Sequence, residues 1–119
     1  EFRRVLFRSD PGALTAQVLA QVHAFENGAA QADDITWDKA MEWAGKQGGE
    51  YVASLPTRRE QALLYANLNE EFEERAYWSC EAHESESGWA WYQSFYYGFQ
   101  STSYRNYELR ARAVRRLPI

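Results

Sequence analysis

The sequence is poor in cysteine, histidine and proline, and it holds no long apolar run. Its single cysteine, Cys80, leaves no disulfide possible within the chain. Small secreted domains usually carry several cysteines, so a reducing compartment is the expected setting. No apolar stretch approaches the ~20 residues that a membrane-crossing helix needs, and no membrane partner is expected. The two histidines, His23 and His83, lie beside no nucleophile pattern, and Ser85 and Ser87 sit among acids without a base partner. Cys80, Glu81, His83 and Glu84 offer one soft ligand and one imidazole, where a closed zinc site wants four. No metal, no cofactor and no catalytic constellation are expected.

What is present is a chain of 119 residues, 45% hydrophobic and 25% charged, long enough for one domain with a real core. The net charge of −4 argues against nucleic acid as the main partner. Acids gather at Glu70, Glu71, Glu73, Glu74, Glu81, Glu84 and Glu86, and arginines at Arg105, Arg110, Arg112, Arg115 and Arg116. Arg110 and Arg112 would project from one strand face, where pairing with Glu108 or the 70–74 acids is the ordinary outcome. Aromatics make up 16% of the chain and lie almost entirely after Tyr51. Their placement is the main clue, because aromatic side chains dominate both core and interface energetics.

Residues 1–9 (EFRRVLFRS) differ in character from the rest of the chain and are set apart as a non-native or junction segment, leaving residues 10–119 as one domain. Residues 10–28 suit a helix through Leu14, Val18, Val22 and Phe25. They suit equally a strand through Val18, Ala20, Val22 and Ala24 that ends in an Asn27-Gly28 turn, which is the favoured choice. A first helix opens at Thr36, with Trp37, Ala40, Met41 and Ala44 on one face and Gly48-Gly49 at its end. A second opens at Thr57, where Thr57 and Glu60 form a capping box and Leu64, Leu68 and Phe72 make the buried stripe. Strand chemistry marks residues 76–80, 89–95 and 109–117, with a bulge or strand end at Val114-Arg115. Helices first and strands after predict an α+β fold: two helices followed by a small antiparallel, twisted sheet with long loops.

Several stretches, LPTRREQALLYANL (55–68), YWSCE (77–81), AWYQSF (90–95) and ELRARAVRRL (108–117), together with Thr36-Trp37 and Gly48-Gly49, resemble the Lcl C-terminal-type domain family of phages and bacteria. The resemblance covers residues 36–119, about two thirds of the chain. It implies a C-type-lectin-like fold, in which N- and C-terminal strands pair and later strands support a loop surface. Similar folds occur in the variable proteins of diversity-generating retroelements and in formylglycine-generating enzymes, so the fold alone does not choose a function. The single cysteine favours a host cytoplasm or phage particle over disulfide-rich secretion. Calcium-dependent sugar binding in such folds needs oxygen ligands on both sides of a proline, and Pro11, Pro56 and Pro118 lack them. The oxidase chemistry needs two cysteines.

Within residues 87–107, five of 21 residues are Tyr, four Ser, two Phe and two Trp. Tyr supplies rigid contact area and Ser adaptable hydrogen bonds, the pairing that binding loops use. Trp89, Trp91 and Phe95 are expected in the core. Tyr96, Tyr97, Phe99, Tyr104 and Tyr107 exceed what so small a domain can bury, and Gly98 and residues 101–103 signal turns. The expected ligand-binding residues are therefore Tyr96, Tyr97, Phe99, Ser101, Ser103, Tyr104, Asn106 and Tyr107. The expected partner is a protein, either a host surface or a host defence protein, and a homo-oligomer is compatible. The alternative is a small phage inhibitor of a bacterial defence system, such as an anti-CRISPR, whose acidic 70–86 face mimics nucleic acid.

Overall fold

A computed structural model describes residues 3–8, 15–20, 34–48 and 52–117. Its elements run β1 (Arg3–Arg8), β2 (Thr15–Ala20), α1 (Trp37–Gly45), β3 (Val52–Ser54), α2 (Arg58–Leu68), a 3-10 turn (Asn69–Glu71), β4 (Ala76–Ala82), β5 (Trp89–Ser94), β6 (Gln100–Tyr104) and β7 (Val114–Leu117). Among the described residues there are two antiparallel sheets, ordered β1-β2-β7-β3 and β4-β5-β6. The chain is α+β as expected, but not with its helices first: β1 and β2 precede α1, and β3 lies between the helices. Residues 1–9, set apart from the fold on sequence grounds, include a paired strand, β1. Of the strand choice for the next segment, Val18 and Ala20 lie in β2, while Val22, Ala24, His23 and Asn27-Gly28 lie outside the described residues.

Both helices begin where their capping signals stand. Thr36 occupies the N-cap of α1 in extended backbone, but its side chain makes no capping bond. The helix ends at Gly45, before Gly48-Gly49, with the Gln47 side chain donating to the Trp43 carbonyl at 3.1 Å. For α2 the capping box is complete. The Glu60 N–H donates to Thr57 Oγ1 at 3.1 Å, and the Thr57 N–H donates to Glu60 Oε1 at 2.9 Å. Thr57→Ala should therefore cost ~1 kcal/mol, read as a lower denaturation midpoint at unchanged slope. An unchanged midpoint would mean that the cap contributes nothing to folding.

The β4-β5-β6 sheet separates two cores, because successive strand side chains point to opposite faces. Tyr77 joins Leu64, Leu68, Phe72, Phe95 and Val114 on the α2 side. Its neighbour Trp78 joins Trp37, Ala40, Ala44, Leu55, Ala90, Ala111 and Ala113 on the α1 side. Two indoles fasten that second core: Trp37 Nε1 donates to the Ser79 carbonyl and Trp78 Nε1 to the Ile35 carbonyl, both at 2.8 Å. On the α2 side Phe72 and Phe95 stack at 4.1 Å, and Tyr77 meets both edge-on at 5.2 Å. Gln61, fully buried, donates to the Tyr77 and Trp78 carbonyls beside the irregularity of β4.

The expected strand over residues 109–117 is broken. Leu109 and Arg110 make single bridges to Ile35 and Tyr77, residues 111–113 leave strand geometry, and only β7 pairs regularly. Val114 therefore starts a strand rather than bulging or ending one. Ala111 and Ala113 are fully buried, so their small side chains let the backbone pass close to Trp78. Arg110 and Arg112 between them are buried too, over Tyr77 and Phe72 at 5.9 and 4.6 Å. Arg110 pairs with Glu73 at 3.1 Å, and Arg112 donates to the Glu71 carbonyl at 2.9 Å. Burial pushes the Arg112 pKa down, opposed by the field of Tyr77 and Glu71. These arginines serve packing and form no exposed basic stripe.

Candidate functional site

The β5–β6 hairpin carries most of the exposed aromatic surface. Its turn is built by Ser94, whose Oγ accepts from the Tyr97 N–H at 2.9 Å and whose carbonyl accepts from the Gly98 N–H at 2.9 Å. Gly98 has φ +88°, a conformation natural to glycine, and a Cβ there would lie 2.9 Å from the Tyr65 ring. The backbone thus turns tightly over Tyr65 and throws its larger residues outward. Tyr96, Tyr97 and Phe99 form one exposed cluster, with ring centroids at 4.5 Å for the tyrosine pair and 5.8 Å for Tyr97 on Phe99.

Residues 100–104 are a strand, not the turn that their serines and threonine suggest. Pairing sets Ser103 opposite Ala90, Ser101 opposite Tyr92, Thr102 opposite Trp91 and Tyr104 opposite Trp89. Ser101 and Ser103 therefore share the face of Ala90, toward α1, while Thr102 and Tyr104 share the face of α2. Tyr104 lies 4.2 Å from Trp89 and 5.4 Å from Tyr107, which follows Asn106 in the next turn. The expected binding residues thus form two clusters at opposite ends of β6, about 15 Å apart by strand rise. Tyr96, Tyr97 and Phe99 are brought together, and Tyr104 with Tyr107, but the two groups do not touch among the contacts described.

Trp89 and Trp91 are the main correction. Expected in the core, both are only half-buried. They point to the α2 side, but α2 begins with Arg58, and the sheet extends past it. Arg58 lays its guanidinium 3.4 Å over the Trp91 ring and donates to Gln100 Oε1 at 3.2 Å. Gln100 in turn donates to the Arg58 carbonyl and to Gln93. The Trp91 indole N–H donates to Glu84 at 2.8 Å, and this bond holds the Glu84 carboxyl below its usual range. Beyond lies a cleft of about 270 Å³ lined by His83, Glu86, Trp89 and Thr102. Sequence reasoning did not bring these four together: it weighed His83 as a metal ligand, Glu86 as part of an acidic face, Trp89 as core and residues 101–103 as a turn. The Trp-Ala-Trp alternation, with a small residue between, is the signal that could have placed both indoles on one face.

The residues near Cys80 disperse to separate tasks. Cys80 packs against the α1-side core, and Glu81 accepts the Arg58 N–H at 2.9 Å. His83 Nδ1 accepts the backbone N–H groups of Ser85 and Glu86 at 3.1 and 3.0 Å, so its ring proton sits on Nε2. Among the described residues no three His, Cys, Asp or Glu side chains converge on a common point. The acids divide likewise: residues 70–74 precede β4, Glu81 lies near its far end, and Glu84 and Glu86 follow it, about 20 Å away by strand rise. In comparisons with known proteins, no family model and no curated protein matches the chain.

Proposed function

We propose that this chain is a non-enzymatic, phage- or prophage-encoded module that recognises a protein ligand through its β5–β6 hairpin. One observation carries the reading: five large aromatic side chains, Tyr96, Tyr97, Phe99, Tyr104 and Tyr107, stand 46–72% exposed on one hairpin and its flanking turn. Scattered exposed aromatics are ordinary, but a concentration of rigid amphipathic rings on one hairpin is what protein-binding surfaces use. The antiparallel pairing of β2 with β7 supports a C-type-lectin-like arrangement, in which a sheet at the chain ends holds the later hairpin. The phage setting rests on the resemblance of residues 36–119. The rival, an inhibitor of a host defence system acting through acidic mimicry, wants one continuous negative face. The division of the acids along β4, and the commitment of Glu73 to Arg110 and of Glu81 to the Arg58 N–H, favour the hairpin instead.

The test removes one ring from each cluster. Host proteins held by the immobilised wild-type domain are identified, purified and titrated against the wild type and against Tyr97→Ala/Tyr104→Ala. The double variant should melt within a degree or two of wild type, since both side chains are exposed. Its affinity for the purified partner should fall by about 30-fold or more, the effect of losing one hot-spot residue. Unchanged affinity would overturn the reading. Loss on Glu70→Lys/Glu74→Lys with no loss on the tyrosine pair would install the acidic rival.

A further inference from the structure

We infer that the cleft beside Trp89 receives the guanidinium of an arginine side chain from the protein partner. The inference deepens the proposed binding face and rests on it. At about 270 Å³ the cleft falls below the range of roughly 300–1,000 Å³ that encloses a drug-sized ligand, so it suits a single side chain. Its wall is the Trp89 indole, half-buried and flanked at 4.2 Å by Tyr104. The rest of its lining is Thr102, Glu86, whose carboxylate makes no ion pair among the described residues, and His83, whose Nδ1 accepts the Ser85 and Glu86 N–H groups. A planar cation over an indole, with a carboxylate beside it, is attracted by the ring's negative face and by the charge together.

The same sheet face already contains that arrangement once. Arg58 lies 3.4 Å over Trp91, and Trp89 is two residues further along β5 on the same side. On the α1 side of the sheet, Arg105 covers Trp37 at 4.4 Å in the same way. No described cation covers Trp89. The two nearby arginines are committed elsewhere, Arg58 to Trp91 and Gln100, and Arg105 to Asp38 at 2.6 Å and to the Ser87 carbonyl. Glu84 is committed to the Trp91 indole, Glu86 pairs with no described cation, and the chain as a whole carries −4. Arginine is preferred over lysine because its flat, weakly hydrated group stacks on an indole while still donating to a carboxylate.

The experiment is a titration of the full-length chain with Nα-acetyl-arginine methylamide, followed by ¹H–¹⁵N NMR. The Trp89 indole N–H and the Thr102 amide should shift in a saturable way at millimolar concentration. Glu86→Gln should weaken the probe about fivefold or more, and Trp89→Leu by a similar factor. Glu42→Gln, an equal change of charge on the exposed side of α1, should leave it unaltered. The lysine analogue should bind more weakly. No saturable shift at Trp89, equal binding by Glu86→Gln, or saturation of the same signals by methyl galactoside instead of the arginine probe would overturn the inference. Because Glu86 is exposed, its variant remains informative even if Trp89→Leu fails to fold. The affinity of Tyr97→Ala/Tyr104→Ala for the purified partner reads the binding face separately. If that dependence survives while the probe fails, only the arginine cleft is lost.

Discussion

Trp78→Ala should unfold most of the domain's population or bring it to the edge of unfolding. The side chain is fully buried, lies in the α1-side core with seven other buried residues, and donates its indole N–H to the Ile35 carbonyl. Deleting a buried indole costs roughly 3–5 kcal/mol, against a total stability of about 5–15 kcal/mol for a domain. The loss includes a cavity that Ala90, Ala111 and Ala113 are too small to fill. It also frees the segment at Ile35, whose backbone pairs with Leu109. Trp89→Ala and Trp91→Ala should each cost less than Trp78→Ala, because both rings keep part of their surface in solvent. Urea denaturation of the three variants separates the cases. Equal losses at all three positions would mean that Trp89 and Trp91 belong to a core, contrary to the arrangement of α2 over the sheet.

Gly98→Ala is the second large effect. At φ +88° an L-residue is strained by about 1–2 kcal/mol, and the added Cβ would meet the Tyr65 ring at 2.9–3.0 Å. Tyr65 is itself packed edge-on against Phe95 at 5.8 Å, so it cannot move without disturbing the α2-side core. Overpacking of this kind adds about 1–3 kcal/mol, for a total near 2–5 kcal/mol in thermal or chemical melting. The consequence reaches the proposed function, because the same turn positions Tyr96, Tyr97 and Phe99. Gly98→Ala/Tyr65→Ala relieves the clash but not the backbone strain. It should restore part of the loss only if the contact with Tyr65 is the larger cause.

Some of the candidate site was legible before the fold. Tyr96, Tyr97, Phe99, Tyr104 and Tyr107 are exposed because a small domain has too little interior for every ring, an inference that needs only composition and length. Which rings fill the interior was not legible. Trp37 and Trp78 do so, whereas Trp89 and Trp91 do not, although each sits in a similar aromatic stretch. The serine-rich run 101–103 read as a turn, yet pairing with β5 makes it a strand, since ladder bonds outweigh the weak local preference of Ser.

The sequence by itself determined the two helices and their starts, the α+β class and the surplus of aromatic side chains. These depend on contacts within four residues, such as Thr57 with Glu60, or on counts that no folding can alter. Tertiary structure decided the face of each strand that is covered, the break at residues 111–113 and the separation of the binding residues into two clusters. Alternation along β5 states that Trp89 and Trp91 share a face, but not that α2 starts at Arg58 and so leaves the Trp89 end open. That depends on where a helix 31 residues earlier in the chain begins against the sheet, a long-range register that period-two patterning does not encode.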